Sequence, residues 1–595
     1  MPTDRTSRQG SPQSKRARND VNYQKHRRAI LADNPPCYRC GRPADTIDHI
    51  IPAAIADPAI VNDISNLRPA CRSCNSSTGA AFGNRTRKTT QSGGKFLVEA
   101  TAKTPQEIKT IAKPYSVRVS EIDGDFVETY PRLESLTDSD GGSLGDDICE
   151  FAEWFWDKPL LPYQQHLLRR IFSIGADGRL SVRRAYLSMA RQNGKSYLAG
   201  TVIAYWLHRM SKVRGEPQFV LSVAHNQQAA HEFFLKVAGQ IERKFGLDPK
   251  AVKMGFQHEE VAMPDGSKWI VQAASMNAGH SLSCDLIYAD EIFGIKAEVL
   301  DGGLAPTQRA RRDPLFLMTS TAGDSSSKAM LAWRDAGLAV IDKGEPSSFY
   351  FAEYSPPPGV DPLSVEAWKW SNPGLGQLIE LKQLRDECEW AISKGAKEIH
   401  EFIRSTANQF VAASTAWLEH GLFARQQSDT MPDGGILAVE CSLTDDKFYG
   451  VRVGVNGDSC VAEVEFTVSR LNLIWDEIDK VITRQPTVKL AIGTSLEIHC
   501  PQRLKARTTF CGHREIFQWT KIVRQMIVDG RVEHHGSQLL IEHVERAVMA
   551  PYRGSVALSS SHSPGAIELC RAMVWAVALA SRPQTRSRAV AVFAT

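Results

Sequence analysis

The feature that most constrains this chain is an apolar run, Arg184 to Ala190, that passes into Arg191-Gln192-Asn193-Gly194-Lys195-Ser196 and then into a helical pattern from Tyr197. That order places backbone N–H groups at a helix start, where they cradle phosphate oxygens; Lys195 then reaches the β/γ oxygens and Ser196 holds Mg²⁺. Met189 stands where such loops usually have their first glycine, so the loop alone is an incomplete match. A second run completes it. Leu286-Ile287-Tyr288-Ala289 ends in Asp290-Glu291, roughly a hundred residues further on. Asp290 is expected in the Mg²⁺ shell and Glu291 to polarise the attacking water. An exposed strand end is the plainer reading of the acidic pair, and the surrounding pattern argues against it. Apolar stretches at Tyr186–Ala190, Phe219–Val223, Lys268–Ala273, Leu286–Ala289 and Leu315–Thr319 alternate with helical ones. Such alternation predicts an α/β domain with a mostly parallel sheet.

The remaining length asks for more than one domain. At 595 residues, 42% hydrophobic and 23% charged, the chain has ordinary globular composition and material for several cores. Strands return from Gly435 (Ile436–Cys441, Tyr449–Val455, Val461–Thr467, Lys489–Ile492) before a helical end, which predicts a second α/β domain. The expected order is a basic arm over 1–25, a small module over 26–92, a linker over 93–145, and the phosphate-loop domain over 146–355. Bridging helices over 356–425, the second α/β domain over 426–583 and a tail over 584–595 complete it. A net charge of +4 predicts no nucleic-acid partner by itself, but eight Lys/Arg fall within residues 1–30. Such an arm suits a phosphate backbone and equally suits a solvated tail. No apolar leader follows the start, and Met573 to Ala580 is too short to span a bilayer, so no membrane role is expected.

Four of the twelve cysteines form two pairs, Cys37-x-x-Cys40 and Cys71-x-x-Cys74; the others are scattered without a disulfide-like framework. Four thiolates make a closed tetrahedral site that favours structural Zn²⁺. Between and beside the pairs lie Asp48-His49-Ile50-Ile51-Pro52, Asn66-Leu67-Arg68 and Asn75. Residues 35–80 thereby resemble the HNH endonucleases in their Cys-bearing ββα-metal form. The resemblance implies that His49 is the general base and that Asp48 and Asn75 hold one Mg²⁺ or Mn²⁺ at the scissile phosphate. Asn66 would orient the loop carrying the base. Many members have His where this chain has Asn75, which leaves metal preference open. The competing reading is a zinc ribbon that only binds DNA.

Further motifs bear on the larger part of the chain. Leu161-Pro162-Tyr163-Gln164, Pro314 to Gly323 with Thr319-Ser320-Thr321, Trp370 to Gly376, and Asn408-Gln409-Phe410 accompany the Arg-Gln-Asn-Gly-Lys-Ser loop. Together they resemble the large terminase subunit of tailed bacteriophages over roughly residues 150–580. The resemblance implies a P-loop ATPase followed by a ribonuclease H-like nuclease. Gln164 would sense adenine, and Arg191 to Ser196 would bind ATP. Thr319, Ser320 and Thr321 would pass hydrolysis to DNA movement. Arg191 is the candidate transition-state arginine, with Arg309, Arg311 and Arg312 as rivals; a solvated turn explains that cluster equally well. In the nuclease domain Glu440 falls where the first Asp is expected, the strand ending at Thr494 carries no carboxylate (the nearest is Glu497), and Glu568 is the third candidate. The two-metal chemistry is therefore expected to be weakened or lost. The implied activity is ATP-driven translocation of double-stranded viral DNA into a procapsid and cutting of concatemers in the host bacterial cytoplasm. Implied partners are the portal protein, the small terminase subunit and further copies in a ring. A cellular defence nuclease-ATPase and a non-catalytic zinc-ribbon adaptor are the alternatives. Linker-like motifs oppose the first, and intact Lys195, Ser196, Asp290 and Glu291 oppose the second.

Overall fold

The structure is a computed structural model that describes residues 21–32, 35, 43–49, 67–70, 72, 130–275, 278, 282–324, 326–410, 416–442, 447–552 and 555–582. It divides into two compact units, Met1–Glu99 and Ala100–Thr595. In the first unit the helix Val21–Leu31 accompanies strands β1 (Thr46–His49) and β2 (Leu67–Ala70), which pair antiparallel with His49 opposite Leu67 and Asp48 opposite Arg68. Tyr23, Ile47 and Leu67 form its core, with Ile30 and Leu31 packed against them. Asp45 ties the pieces: its carbonyl accepts from Arg27 at 3.1 Å and its Oδ1 from the Arg72 amide at 2.7 Å. The helix begins before residue 26 and carries a core residue, Tyr23, so part of the segment read as an arm belongs to the module.

In the second unit the strands run β3 (Leu133–Glu134), β4 (Gly142–Ser143), β5 (Ser173–Ile174), β6 (Arg184–Ser188), β7 (Phe219–Ala224), β8 (Val252–Lys253), β9 (Glu260–Ala262), β10 (Lys268–Ala273), β11 (Leu286–Asp290), β12 (Leu315–Ser320) and β13 (Phe349–Glu353). Among the described residues nine of these form one sheet, in the order β3-β13-β6-β12-β11-β7-β10-β9-β8. The run β13-β6-β12-β11-β7-β10 is parallel throughout. Both faces are covered, which is why β12 is buried at all six positions and reads as an unbroken apolar run. One strand, β12, lies between the loop strand β6 and the acidic strand β11. The ends of all three therefore open on one edge, where ligands of parallel sheets bind.

The linker expected over 93–145 is corrected from residue 130 on. Strand β3 pairs with β13, and β4 pairs with β5. Glu134 accepts from Tyr350 at 2.7 Å and is bonded to His166 at 2.8 Å, while Pro131, Leu133, Ser135 and Thr137 alternate inward. Two of those inward residues are hydroxyls, so the period of two is invisible to hydropathy.

The C-terminal part holds β14 (Ile436–Cys441), β15 (Phe448–Asn456), β16 (Ser459–Val468), β17 (Lys489–Gly493), β18 (Thr508–Cys511) and β19 (Val532–His534), ordered β18-β17-β14-β15-β16-β19. Strands β14, β15 and β16 form an antiparallel meander, and β17 and β18 run parallel to β14. That is the ribonuclease H-like arrangement. A separate pair, β20 (Met549–Tyr552) and β21 (Ser555–Leu558), precedes the helix Glu568–Ala580. This helix is buried from Glu568 to Val577 beside β14 and β15, which explains its all-round apolar composition. Among the described residues no helix is long and apolar enough to cross a membrane.

Candidate functional site

The loop after β6 forms as its residues require. Gln192 and Gly194 take positive φ, +62° and +69°, and the helix Lys195–Tyr205 starts directly behind them. Glycine suits the left-handed conformation at position 194, and a Cβ there would stand 2.7 Å from Gln164 Nε2, which would have to shift. Lys195 is buried, and its Nζ donates to the carbonyls of Met189 at 3.1 Å and Ala190 at 3.3 Å. It also lies 3.4 Å from Glu291 Oε1. Ser196 is exposed in the first helical turn. Gln164 is buried: its Oε1 accepts from the Leu161 amide at 3.0 Å, and its Nε2 lies 3.5 Å from the Gly194 carbonyl.

Beside the loop, β11 and β12 deliver the acidic pair and the hydroxyls. Thr319 Oγ1 donates to Asp290 Oδ1 at 2.9 Å and lies 3.0 Å from the Tyr288 hydroxyl. Burial, and then the neighbouring Glu291, raise the Asp290 carboxyl above its ordinary range, with Lys195 pulling the other way. Glu291 sits at φ +47°, a left-handed conformation that costs a non-glycine residue about 1–3 kcal/mol. Its Oε2 accepts from the Thr321 amide at 3.0 Å and from Thr321 Oγ1 at 3.3 Å. Ser320 Oγ accepts from the Phe293 amide at 3.2 Å and itself donates to the Thr321 carbonyl. Lys195, Asp290, Glu291, Thr319 and Thr321 thus converge at one sheet edge. An ammonium facing two crowded carboxylates beside a nested backbone loop fits a nucleotide triphosphate with its Mg²⁺: the cation would relieve the raised Asp290, and Lys195 would exchange carbonyls for phosphate.

The arginines separate. Arg311 donates to the Ser283 carbonyl at 2.8 Å and lies 3.5 Å from Asp285, so it serves the structure of its own turn. Arg309 and Arg312 are exposed. Arg191 is half-exposed and pairs with Glu401 at 3.2 Å.

In the C-terminal sheet Glu440 lies near the end of β14, buried, and Glu568 is buried at the start of its helix. The residue missed by sequence reasoning is Arg571, whose Nε and Nη2 both donate to Glu440 Oε2 at 3.2 Å. One helical turn beyond Glu568, it could have been found as a charge inside an apolar helix. Burial pushes the Glu440 carboxyl up to about 7, Arg571 opposing and Glu568 adding to the rise. At the end of β17 a Cβ on Gly493 would stand 3.1 Å from Glu440 Oε1, and Glu497 is exposed on the turn Thr494–His499. A guanidinium therefore neutralises the first carboxylate, and the second is missing. These residues do not fit a two-metal centre, and among the described residues no group of three His, Cys, Asp or Glu could hold a metal ion.

In the first unit β1 carries Asp48 and His49 at its end, opposite Arg68 and Leu67. Cys37, Cys40, Cys71, Cys74, Asn66 and Asn75 lie outside the described residues.

The fold and the loop define the class: a P-loop α/β domain joined to a ribonuclease H-like domain, with a separate small module ahead of them. The HNH endonuclease family profile matches residues 37–80 of that module. The chain is also similar to phage large terminases of known structure. The HK97 bacteriophage large terminase is 18% identical, covering 74% of this chain and 100% of that one, with a TM-score of 0.43. The ATPase domain of the Thermus phage P74-26 large terminase is 17% identical over 44% of this chain and 98% of that one, with a TM-score of 0.30. The large terminase nuclease of the thermophilic phage G20c is 9% identical over 27% of this chain and 97% of that one, with a TM-score of 0.22. No curated protein matches the chain by sequence.

Proposed function

We propose that the chain is the motor-nuclease of a phage DNA-packaging machine, hydrolysing ATP to move double-stranded viral DNA into a procapsid and cutting the concatemer. The observation that carries this reading is the convergence of Lys195, Asp290, Glu291 and Thr321 at one sheet edge. Bound ATP would take Lys195 from Glu291 and the loop carbonyls, and Mg²⁺ would sit with Ser196 and Asp290. Glu291, freed from Lys195, would orient the attacking water. Its remaining tie is to Thr321, so a change at the γ-phosphate would reach the end of β12 directly. The helix Lys328–Lys343 follows a few residues later and packs against the helix Gln538–Glu545 of the C-terminal part.

Cutting is assigned to the HNH module, with His49 as general base, Asp48 and Asn75 as ligands of Mg²⁺ or Mn²⁺, Asn66 orienting the base, and Zn²⁺ on Cys37, Cys40, Cys71 and Cys74. The Glu440–Arg571 pair supports this division, because it leaves the ribonuclease H-like sheet without a pair of free carboxylates. The portal protein, the small terminase subunit and further copies in a ring on the procapsid are the proposed partners, in the host bacterial cytoplasm. Replacing Lys195 by Ala tests the motor: ATP turnover and DNA translocation should be lost while cleavage of free DNA persists. ATP turnover near wild type in Lys195→Ala would sink the assignment.

A further inference from the structure

The phosphate loop departs from its usual pattern at Met189, and a distant segment is bound to the residues that follow, Ala190, Arg191 and Asn193. The bridge between the two α/β domains places Ser371, Asn372 and Gly374 on one side of the loop and Ser405 and Thr406 beside them. The Ser371 carbonyl accepts from the Ala190 amide at 3.3 Å, and the Ser405 carbonyl accepts from the Arg191 amide at 2.9 Å. The loop side chain that answers is Asn193, which is 1% exposed. Its Oδ1 accepts from the Gly374 amide at 3.0 Å. Its Nδ2 donates to Asn372 Oδ1 at 2.8 Å and to the Arg191 carbonyl at 2.9 Å. Asn372, 3% exposed, completes the chain by donating from its Nδ2 to the carbonyls of Trp368 at 2.8 Å and Thr406 at 2.9 Å. The direction of both amides follows from their ends: Gly374 N–H only donates, and the Trp368 and Thr406 carbonyls only accept. Every hydrogen of the two side chains has an acceptor, which is the condition under which a buried polar network fixes one geometry.

We propose that Asn372 is a positioning residue of the nucleotide site, holding the phosphate loop open through Asn193 where a loop without its first glycine has less of its own shape to rely on. This rests on the ATPase reading above. The Asn372 side chain is buried, with its amide groups bonded to Asn193, Trp368 and Thr406. It acts on Asn193, and through it on the amides of Gly194 and Lys195 that follow. Loop amides hold phosphate alike in the bound and transition states, whereas Lys195 answers the charge that develops in the reaction. Loss of the clamp should therefore appear in KM and not in kcat.

The test is steady-state Mg-ATP hydrolysis together with calorimetric ADP binding by the full chain carrying Asn372→Ala, Asn193→Ala or both. Each single variant should raise KM for ATP and Kd for ADP about 5-fold or more, with kcat kept within about 2-fold, since one net hydrogen bond is at stake. The double variant should be worse than either single by less than the product of their effects, because both remove the Asn193–Asn372 link. KM and Kd unchanged in Asn372→Ala, or effects of the two substitutions that simply multiply, would overturn the proposal. Should Asn372→Ala fail to fold, Asn193→Ala, which leaves the contacts of Asn372 to Trp368 and Thr406 in place, carries the test alone. A wild-type chain without ATP turnover refutes the ATPase reading itself; turnover abolished by Lys195→Ala but indifferent to Asn372 refutes only the clamp.

Discussion

Replacing Asp335 by Asn should destabilise the junction between the two α/β domains by an amount that can be worked out in advance. Asp335 lies on the helix Lys328–Lys343 and accepts two hydrogen bonds from Arg546 Nη2, at 2.8 Å and 2.7 Å. Both side chains are buried, and His543 Nε2 lies 3.8 Å from Asp335 Oδ2, the oxygen that Arg546 binds at 2.7 Å. Burial acts to raise the Asp335 carboxyl, but Arg546 and His543 outweigh it and hold the group well below the ordinary carboxylate range. Its contribution is therefore present above pH ~4, the unfolded value, and is lost as pH falls below that. At pH 7 the substitution leaves the Arg546 guanidinium buried without its counter-charge, which costs about 3–5 kcal/mol. If residues 130–582 melt together, their unfolding entropy is about 1 kcal/mol/K at ~2.1 cal/mol/K per residue, so Tm should fall by about 3–5 °C. Differential scanning calorimetry of wild type, Asp335→Asn, Arg546→Met and the double variant gives the coupling. A Tm within 1 °C of wild type for Asp335→Asn, or equal losses from it in the presence and absence of Arg546, would refute the reasoning.

Three further outcomes are expected. His49→Ala should lower metal-dependent DNA cleavage at least ~100-fold, as loss of a general base does, while Glu440→Ala changes it little; gel assays on linear DNA decide, and the reverse order would reassign the cutter. Purified protein should carry about one zinc per chain, and Cys71→Ser should lose it and unfold the module; metal analysis without zinc contradicts this. Glu440 has a folded value of about 7, above its unfolded one. Folding therefore takes up a proton there, and stability should fall as pH rises from about 4.5 to 7. Glu440→Gln should flatten that slope in urea titrations at pH 5 and pH 8, and an unchanged slope would place the titration elsewhere.

What was legible in the sequence and what was not divides along a physical line. A strand buried on both faces announces itself as an apolar run, as Ile436–Cys441 does, and the partly buried Lys268–Ala273 was legible too; in both, the read and the observed bounds are alike. The loop and the acidic pair were equally plain, because phosphate chemistry needs fixed residue types at fixed spacing. The short edge strand β3 escaped, since its inward side chains include Ser135 and its pairing partner β13 lies over two hundred residues away. Arg571 escaped for a related reason: a charge in an apolar helix is a signal, but its partner cannot be named until β14 is placed beside that helix. The same holds for Asn193 and Asn372, two ordinary amides 179 residues apart. Each is unremarkable alone, and each lies in a motif whose backbone was already noticed. Their meaning comes from a pairing that only the fold supplies, and that pairing joins the loop to the bridge between the two domains. A motor must make the geometry of its nucleotide site depend on the position of its other parts. In the proposed motor that dependence would run through side chains that local sequence cannot assign, whereas the groups proposed for the chemistry are the ones it can.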